Sequence, residues 1–226
     1  MKTQIKFLSV LICFQLIISC SEDVLTPLDP VLNEEESFLK SANSLSVNNI
    51  LFIDNFEDGD SQGWDLIGDG WSIETEAGNQ VLSSSTSTGP AFAFLQNPGW
   101  YNYRFNSRLK FIGGFTYCEL ILRMDYLGQH YWLQVMSDHL ALMKETSSGP
   151  FETLASSHVN ILQNIWYNIE ITAKGNKFKV KLNSHPVINV KDESPWGNIG
   201  TIGFEVHDNA EIYFDDVLVT RLGGSN

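Results

Sequence analysis

Short runs in which apolar and polar residues alternate constrain the fold of this chain more than any other feature. Such runs occupy residues 103–111, 131–135, 165–173, 177–182 and 202–206. Successive side chains of a β-strand point to opposite faces of its sheet, so each run predicts a strand with one buried face. Glycine and asparagine separate the runs where turns are needed, and no helical period persists beyond two turns. From residue 51 onward the pattern predicts about 12 to 14 strands.

This number of short strands predicts two packed antiparallel sheets, which is an all-β sandwich. In the last run, apolar residues fall on even positions up to Phe214 and on odd positions from Val217. A change of register by one residue exchanges the two faces of a strand. The switch therefore predicts a β-bulge at Asp215 and Asp216, which would re-aim a carboxylate.

The N-terminal segment indicates where the protein is located. Lys2 and Lys6 precede an apolar run at residues 7–14 that is short for a membrane span. The following Leu16-Ile17-Ile18-Ser19-Cys20 is similar to the lipobox of bacterial lipoproteins, which implies cleavage before Cys20 and lipidation of its thiol. Ser21-Glu22-Asp23 is similar to the acidic signal that sends some lipoproteins to the outer cell surface. We therefore expect a lipid-anchored outer-membrane protein that faces the cell exterior, with a plain secretory signal as the alternative.

These patterns divide the chain into a lipoprotein signal peptide at 1–20, a flexible acidic tether at 21–49 and a sandwich domain at 50–222. The chain has 14 basic and 27 acidic residues and a net charge of −13, which argues against nucleic acid as a partner. The membrane is expected as a partner only through the lipid anchor. Cys118 is the only cysteine in the predicted domain, so no disulfide can form within it.

Motifs along the domain resemble the concanavalin A-like jelly-roll sandwich of lectins and glucanases. Residues 54–60 with Gly63-Trp64 resemble the opening of such domains, and residues 213–219 resemble their closing strand. The runs between them are similar in order to laminin-G-like domains, at residues 122–126, 130–133, 140–144, 166–171 and 200–204. The resemblance covers residues 52–221. It implies the fold of sugar-binding modules and of some keto-glycoside hydrolases.

The outward-facing positions of three predicted strands carry side chains of the kinds that bind sugars. Carboxylate, amide and guanidinium groups bind neighbouring hydroxyls, and an aromatic ring covers the apolar C–H face of a sugar. If the strands adjoin, one sheet face carries the predicted carbohydrate-binding residues Tyr117, Glu119, Arg123, His130, Trp132, Gln134, Glu205 and His207. An ordinary solvated face with cross-strand charge pairs is the alternative. Loops with Trp100 and Trp196 could add rings to the site or close the ends of the sandwich.

Asp54 and Glu57 near the start of the domain and Asp215 near its end suggest a structural calcium site. Calcium takes about six to eight oxygen ligands, which loop carboxylates and backbone carbonyls supply. In the folds that the chain resembles, the first and last strands lie side by side, which would bring these carboxylates together. The alternative is that the same residues only form turns.

Basic residues also occupy outward parities, for example Arg108, Lys110 and Lys181. They either protect strand edges from pairing or attract an anionic polysaccharide. Edge protection is the simpler interpretation.

The expected function is that of a surface-anchored carbohydrate-binding lipoprotein that captures or helps to use a polysaccharide or oligosaccharide. Glucanase relatives place their catalytic carboxylates in a Glu-x-Asp-x-x-Glu run, and this chain has none. No catalytic residue is therefore assigned, and enzyme activity stays open. One alternative is a small glycoside hydrolase or lyase acting with Glu119, Glu205 or His207. Another is a non-catalytic structural or adhesion module that binds protein partners.

Overall fold

The computed structural model describes residues 49–223, except 88, 97–98, 115–116, 147–148, 196–198 and 208. The predicted signal peptide, the lipidated Cys20 and nearly all of the tether lie outside the described residues, as does Trp196. Within the described residues, no helix has the length and apolarity that crossing a membrane requires.

The described residues form fifteen β-strands, slightly more than the sequence predicts. In chain order they are β1 (Ile50–Asp54), β2 (Trp64–Ile67), β3 (Trp71–Glu76), β4 (Asn79–Ser85), β5 (Ala91–Leu95), β6 (Tyr103–Gly113), β7 (Cys118–Met124), β8 (Tyr131–Val135), β9 (His139–Thr146), β10 (Gly149–His158), β11 (Tyr167–Lys174), β12 (Lys177–Leu182), β13 (His185–Lys191), β14 (Thr201–Val206) and β15 (Glu211–Arg221).

The strands form two antiparallel sheets, which confirms the predicted all-β sandwich. Sheet A has the order β13-β12-β11-β6-β15-β4-β3, and β1 also pairs with β15. Sheet B has the order β10-β9-β8-β7-β14-β5-β2. The first and last strands therefore lie side by side, as expected from the sequence.

The core between the sheets is built from the inward residues of the alternating runs. Phe105, Ile171 and Phe178 of sheet A and Phe204 of sheet B have no exposed surface. Phe204 stacks on Phe214 of the opposite sheet with ring centroids 4.1 Å apart. Burial of one such side chain contributes about 1.5–3 kcal/mol. The core therefore fixes the strand registers, and with them the side chains that face outward.

The predicted bulge in β15 is confirmed. The register against β6 shifts between Asp215 and Leu218, and Asp216 has a positive φ of 49°. Both carboxylates are buried on the outer face of sheet A, where Nη1 of Arg108 lies 3.1 Å from Oδ2 of Asp216. Burial and the neighbouring Asp216 raise the pKa of Asp215 to about 7.

Several basic residues on the outer face of sheet A contact acidic or aromatic side chains of the same face. Lys110 contacts Glu76, and Nζ of Lys181 lies 2.9 Å from Oε1 of Glu170. The ring of Trp166 covers the guanidinium of Arg108 at 4.5 Å. Arg108 and Lys110 lie on β6 and Lys181 lies on β12, and both are interior strands, so the predicted edge protection is wrong for these residues. Their contacts with the sheet face favour a role in stabilising the sheet over attraction of an anionic polysaccharide.

Candidate functional site

The outer face of sheet B brings together most of the predicted carbohydrate-binding residues. In the ladder, Glu119 of β7 lies opposite Glu205 of β14 on one side and Gln134 of β8 on the other. Directly opposite residues point to the same face, with Cβ atoms about 5 Å apart. The three strands therefore adjoin as the parity argument assumed.

Glu119, Glu205 and His207 form a compact group, which we call the acidic cluster. Nε2 of His207 lies 3.1 Å from Oε1 of Glu205 and 4.0 Å from Oε1 of Glu119. Gln134 donates a hydrogen bond of 3.2 Å from Nε2 to Oε1 of Glu119. Tyr117 stacks on the imidazole with ring centres 4.2 Å apart, and its hydroxyl lies 3.1 Å from Nδ1 of His207. Five of the eight predicted residues thus form one connected polar site.

Burial gives the acidic cluster an unusual protonation behaviour. Desolvation raises the pKa of Glu119 to about 7, the charge of Glu205 adds to the rise, and His207 opposes it. A carboxyl with such a pKa holds a proton about half of the time at neutral pH. This property suits general acid and base catalysis as well as hydrogen bonding to hydroxyl groups.

The acidic cluster could also hold a metal ion. One carboxylate oxygen from each glutamate and a ring nitrogen of His207 all lie within 4.8 Å of one another. Calcium prefers an all-oxygen shell, whereas two carboxylates and one imidazole suit Mn²⁺, Fe²⁺ or Zn²⁺. The donors therefore fit a transition metal better than the predicted calcium.

The structure corrects the predicted calcium ligands, which it does not bring together as a group among the described residues. Asp54 accepts hydrogen bonds of 2.8 Å from the backbone N–H of Phe56 and from Nε1 of Trp64. Oε1 of Glu57 accepts the backbone N–H of Gln80. These carboxylates close turns and anchor strands, which is the alternative stated above.

Asp215, the third predicted calcium ligand, is engaged inside sheet A. Its Oδ2 accepts a hydrogen bond of 2.9 Å from Asn79, and Oδ1 accepts the backbone N–H of Asp216 at 2.6 Å. The bulge re-aims Asp215 and Asp216 toward Arg108 of the adjacent strand. The guanidinium therefore offsets part of the cost of their charge, while burial and Asp216 still keep the pKa of Asp215 raised.

Trp132 lies on the predicted face, but it is covered there instead of offering its ring to a sugar. Its parity is correct, because it lies opposite Ile121 on the outer face, but only 3% of its surface is exposed. Phe151 of β10 covers it edge-on at 5.0 Å between ring centroids, and His130 packs beside it at 5.1 Å. The sequence could not show that a ring from β10 lies over this part of the face.

The prediction that Arg123 faces outward beside Glu119 is also wrong. An extra residue in β7 shifts its register against β14 between Thr201 and Gly203, and Arg123 has a positive φ of 52°. The bulge turns the side chain into the end of the sandwich, where it is 2% exposed. It donates hydrogen bonds of 2.7 and 2.8 Å to the carbonyl oxygens of Gly175 and Tyr101. Arg123 is thus a structural clamp.

The rings beside the acidic cluster come from residues that the sequence analysis did not single out. Phe92 of β5 lies opposite Glu205, and Phe94 lies opposite Gly203. The two half-buried rings stack with centroids 5.4 Å apart. The signal was present in Ala91-Phe92-Ala93-Phe94-Leu95, where phenylalanines recur with period two. Trp100 packs against Tyr103 at 6.2 Å and closes an end of the sandwich.

The fold and the site define a carbohydrate-related domain with a concanavalin A-like and galectin-like sandwich. The chain belongs to the 3-keto-alpha-glucoside-1,2-lyase-like domain family, whose pattern matches residues 51–220. This confirms the predicted resemblance of the domain. No curated protein gives a significant match to the chain.

Solved structures show the same fold at low sequence identity. The carbohydrate-binding module CBM66 from Bacillus subtilis is 21% identical, with a TM-score of 0.58 over 70% of this chain and 95% of that one. A Bacillus subtilis protein with a galectin-like fold is 14% identical, with a TM-score of 0.64 over 76% and 96%. The exoplasmic domain of VIP36, in a form bound to Ca²⁺ and mannose, is 12% identical, with a TM-score of 0.55 over 73% and 85%.

Proposed function

We propose that this protein is a lipid-anchored carbohydrate-binding domain on the outer cell surface, which captures glucosides at the acidic cluster. The observation that carries the proposal is the acidic cluster itself, placed beside the stacked rings of Phe92 and Phe94. Carboxylates accept hydrogen bonds from sugar hydroxyls, and aromatic rings cover the C–H face.

The family and the structural neighbours support the sugar as ligand. The family description names an alpha-glucoside, CBM66 is named as a carbohydrate-binding module, and the VIP36 structure carries mannose. The negative charge of the whole chain further favours an uncharged glycan over an acidic one. A role in capturing polysaccharide for use by the cell follows from the predicted surface location.

Calorimetric titration of the purified protein with alpha-glucosides tests this function. Glu205→Gln should weaken binding by about tenfold or more, because a carboxylate that accepts sugar hydroxyls becomes an amide. Glu170→Gln is the matched control, since Glu170 is a half-buried glutamate on the opposite sheet. Equal binding by wild type and Glu205→Gln would reject the acidic cluster as the site.

A second function, lyase activity, is favoured by the pKa of about 7 at Glu119. The C2–H of a 3-keto-glucoside is acidic because it adjoins the carbonyl. Ionised Glu119 would take this proton, the C1–O bond would break as the C1–C2 double bond forms, and His207 would protonate the departing oxygen. The C2–H and C1–O bonds break, and the C1–C2 double bond and the O–H bond of the released alcohol form. The ketone at C3 is unchanged, so the step needs no oxidant.

Incubation with methyl 3-keto-α-glucoside tests the lyase. The conjugated enone product absorbs ultraviolet light and methanol is released, so both products can be followed. The rate should rise as pH increases through about 7, because Glu119 must be ionised, for as long as His207 keeps the proton that it donates. Glu119→Gln should abolish the reaction. Binding without product would leave the domain as a binding module.

A further inference from the structure

A cleft of about 370 Å³ opens at the end of β14 that lies away from the acidic cluster. Phe94 and Thr201 form part of its wall, and the turn after β7 contributes Asp125 and Tyr126. Its volume falls within the range of small-molecule sites. None of the cluster residues lines it.

Apolar side chains are concentrated around this cleft. Of the nine large apolar residues that the described chain exposes, three line it, namely Tyr126, Ile199 and Ile67. Tyr126 is 94% exposed, so its ring is free to lie against a ligand. A recess walled by rings and branched side chains suits the C–H face of a sugar.

The polar groups of the cleft select the charge of its ligand. Asp65 uses Oδ1 to accept a hydrogen bond of 2.7 Å from Gln96, and Asp125 uses Oδ1 to accept the backbone N–H groups of Leu127 and Gln129. Among its described lining residues are two carboxylates and no cationic side chain. Carboxylates accept hydrogen bonds from hydroxyl groups and repel anions. The cleft therefore fits an uncharged sugar unit better than a uronate or a sulfated sugar.

The cleft and the acidic cluster are joined by one continuous surface. Phe94 lines the cleft, stacks on Phe92 and lies across β14 at Gly203. A Cβ at Gly203 would lie 2.5 Å from Cδ1 of Phe94, so the glycine makes room for the ring. The strand rises about 3.3 Å per residue, which places Glu205 about 13 Å from Thr201. This span exceeds one pyranose ring.

We propose that the cleft is a second subsite, which takes another uncharged unit of the glucoside held at the acidic cluster. The inference rests on the proposed function, and it adds that the ligand is an uncharged oligosaccharide rather than a monosaccharide. The protein then binds a glucotriose more tightly than glucose.

Methyl NMR of the isoleucine-labelled protein tests this subsite with glucose, maltotriose and isomaltotriose. Ile121 reports on the acidic cluster, because it follows Glu119 on the same face, and Ile67 and Ile199 report on the cleft. At least one trisaccharide should shift both sets of signals. Shifts at Ile121 alone would overturn the second subsite and leave the proposed function intact. No shift with any of the sugars would overturn both.

Two neighbouring variants separate a subsite from a general surface effect. Tyr126→Ala should weaken trisaccharide binding by roughly three- to tenfold, the range for one aromatic contact, and leave glucose binding unchanged. Leu127→Ala is the control, since Leu127 lies in the same turn, is 66% exposed and does not line the cleft. If Tyr126→Ala and Leu127→Ala bind the trisaccharide with equal affinity, the proposal is overturned.

Discussion

Glu119 lowers the stability of the fold and at the same time gives the acidic cluster a group that can exchange a proton. It is 7% exposed, it lies beside the charge of Glu205, and its pKa is raised to about 7. An ionised carboxyl in this position is partly uncompensated, because one imidazole is shared between two acids. The side chain therefore destabilises the folded state when it ionises, and it is ready to exchange a proton near neutral pH.

Replacing Glu119 should change how stability depends on pH. A carboxyl with a raised pKa contributes stability fully below its unfolded pKa of 4.5, and this contribution is lost as pH rises through about 7. Glu119→Gln should therefore reduce the loss of stability between about pH 5 and about pH 8, by about 1–3 kcal/mol. Urea unfolding at both pH values measures this. Asp215 shifts in the same direction, so some slope should remain.

Glu170→Gln is the control for that experiment, because it also replaces a carboxylate by an amide but lies outside the acidic cluster. An identical pH slope in wild type and Glu119→Gln would mean that Glu119 titrates in the folded protein as it does in the unfolded chain.

Metal binding to the acidic cluster should compete with the proton on Glu119. Mn²⁺ should raise the melting temperature by several degrees, through binding to the folded state only, and more at about pH 8 than at about pH 6. Ca²⁺ should have a smaller effect because one donor is an imidazole nitrogen. Glu205→Gln should remove the shift. Thermal melts with chelator, Mn²⁺ and Ca²⁺ measure it, and coincident curves would show that the cluster holds no ion.

At the scale of the strand, alternation allowed the sheets to be predicted because the period of two is a local property. The same parity placed Glu119 and Glu205 on one face. The bulge in β15 was visible because its apolar pattern changes parity at Asp215. The bulge in β7 left no such signal, since apolar residues keep the even positions from Cys118 to Met124 across it.

The remaining site errors have the same non-local origin. Parity predicted the face on which Trp132 lies. Only the packing of β10 in the structure shows that Phe151 covers it. The calcium prediction counted carboxylates in two segments that are adjacent in space. It could not show that Trp64 and Asn79 already use them. The sequence thus predicted which face of a sheet a residue lies on. It did not predict which neighbouring groups cover or bind that residue.

The ladder between β6 and β15 should depend on Arg108. Its guanidinium faces two buried carboxylates, with Nη1 3.1 Å from Asp216 and 3.8 Å from Asp215. Arg108→Met would leave these acids without their cation, which costs about 3–5 kcal/mol. Arg104→Met, on the same strand face, removes a more exposed arginine whose partner is Glu170, and should cost less than about 1 kcal/mol. Chemical denaturation measures both, and equal losses would contradict the assignment.

At the scale of the whole molecule, the predicted anchor decides where the binding face operates. Cys20→Ala should prevent lipidation and leave the protein unprocessed or released from the envelope, because stable anchoring requires the acyl chains. Membrane fractionation and the mass of the purified protein measure this. Ser21→Ala, one residue later, is the control and should remain anchored. Unchanged fractionation of Cys20→Ala would contradict the lipoprotein prediction.

The pairing of β1 with β15 has a mechanical consequence. Ile50, where β1 begins, lies opposite Thr220, and Asp54 at its other end lies opposite Val217. Hydrogen bonds of an antiparallel pair run perpendicular to the strands. A pull on the chain before Ile50, directed along β1, therefore loads these bonds together in shear rather than one after another. The domain is built to resist tension at the end where a membrane tether would pull against a captured glycan.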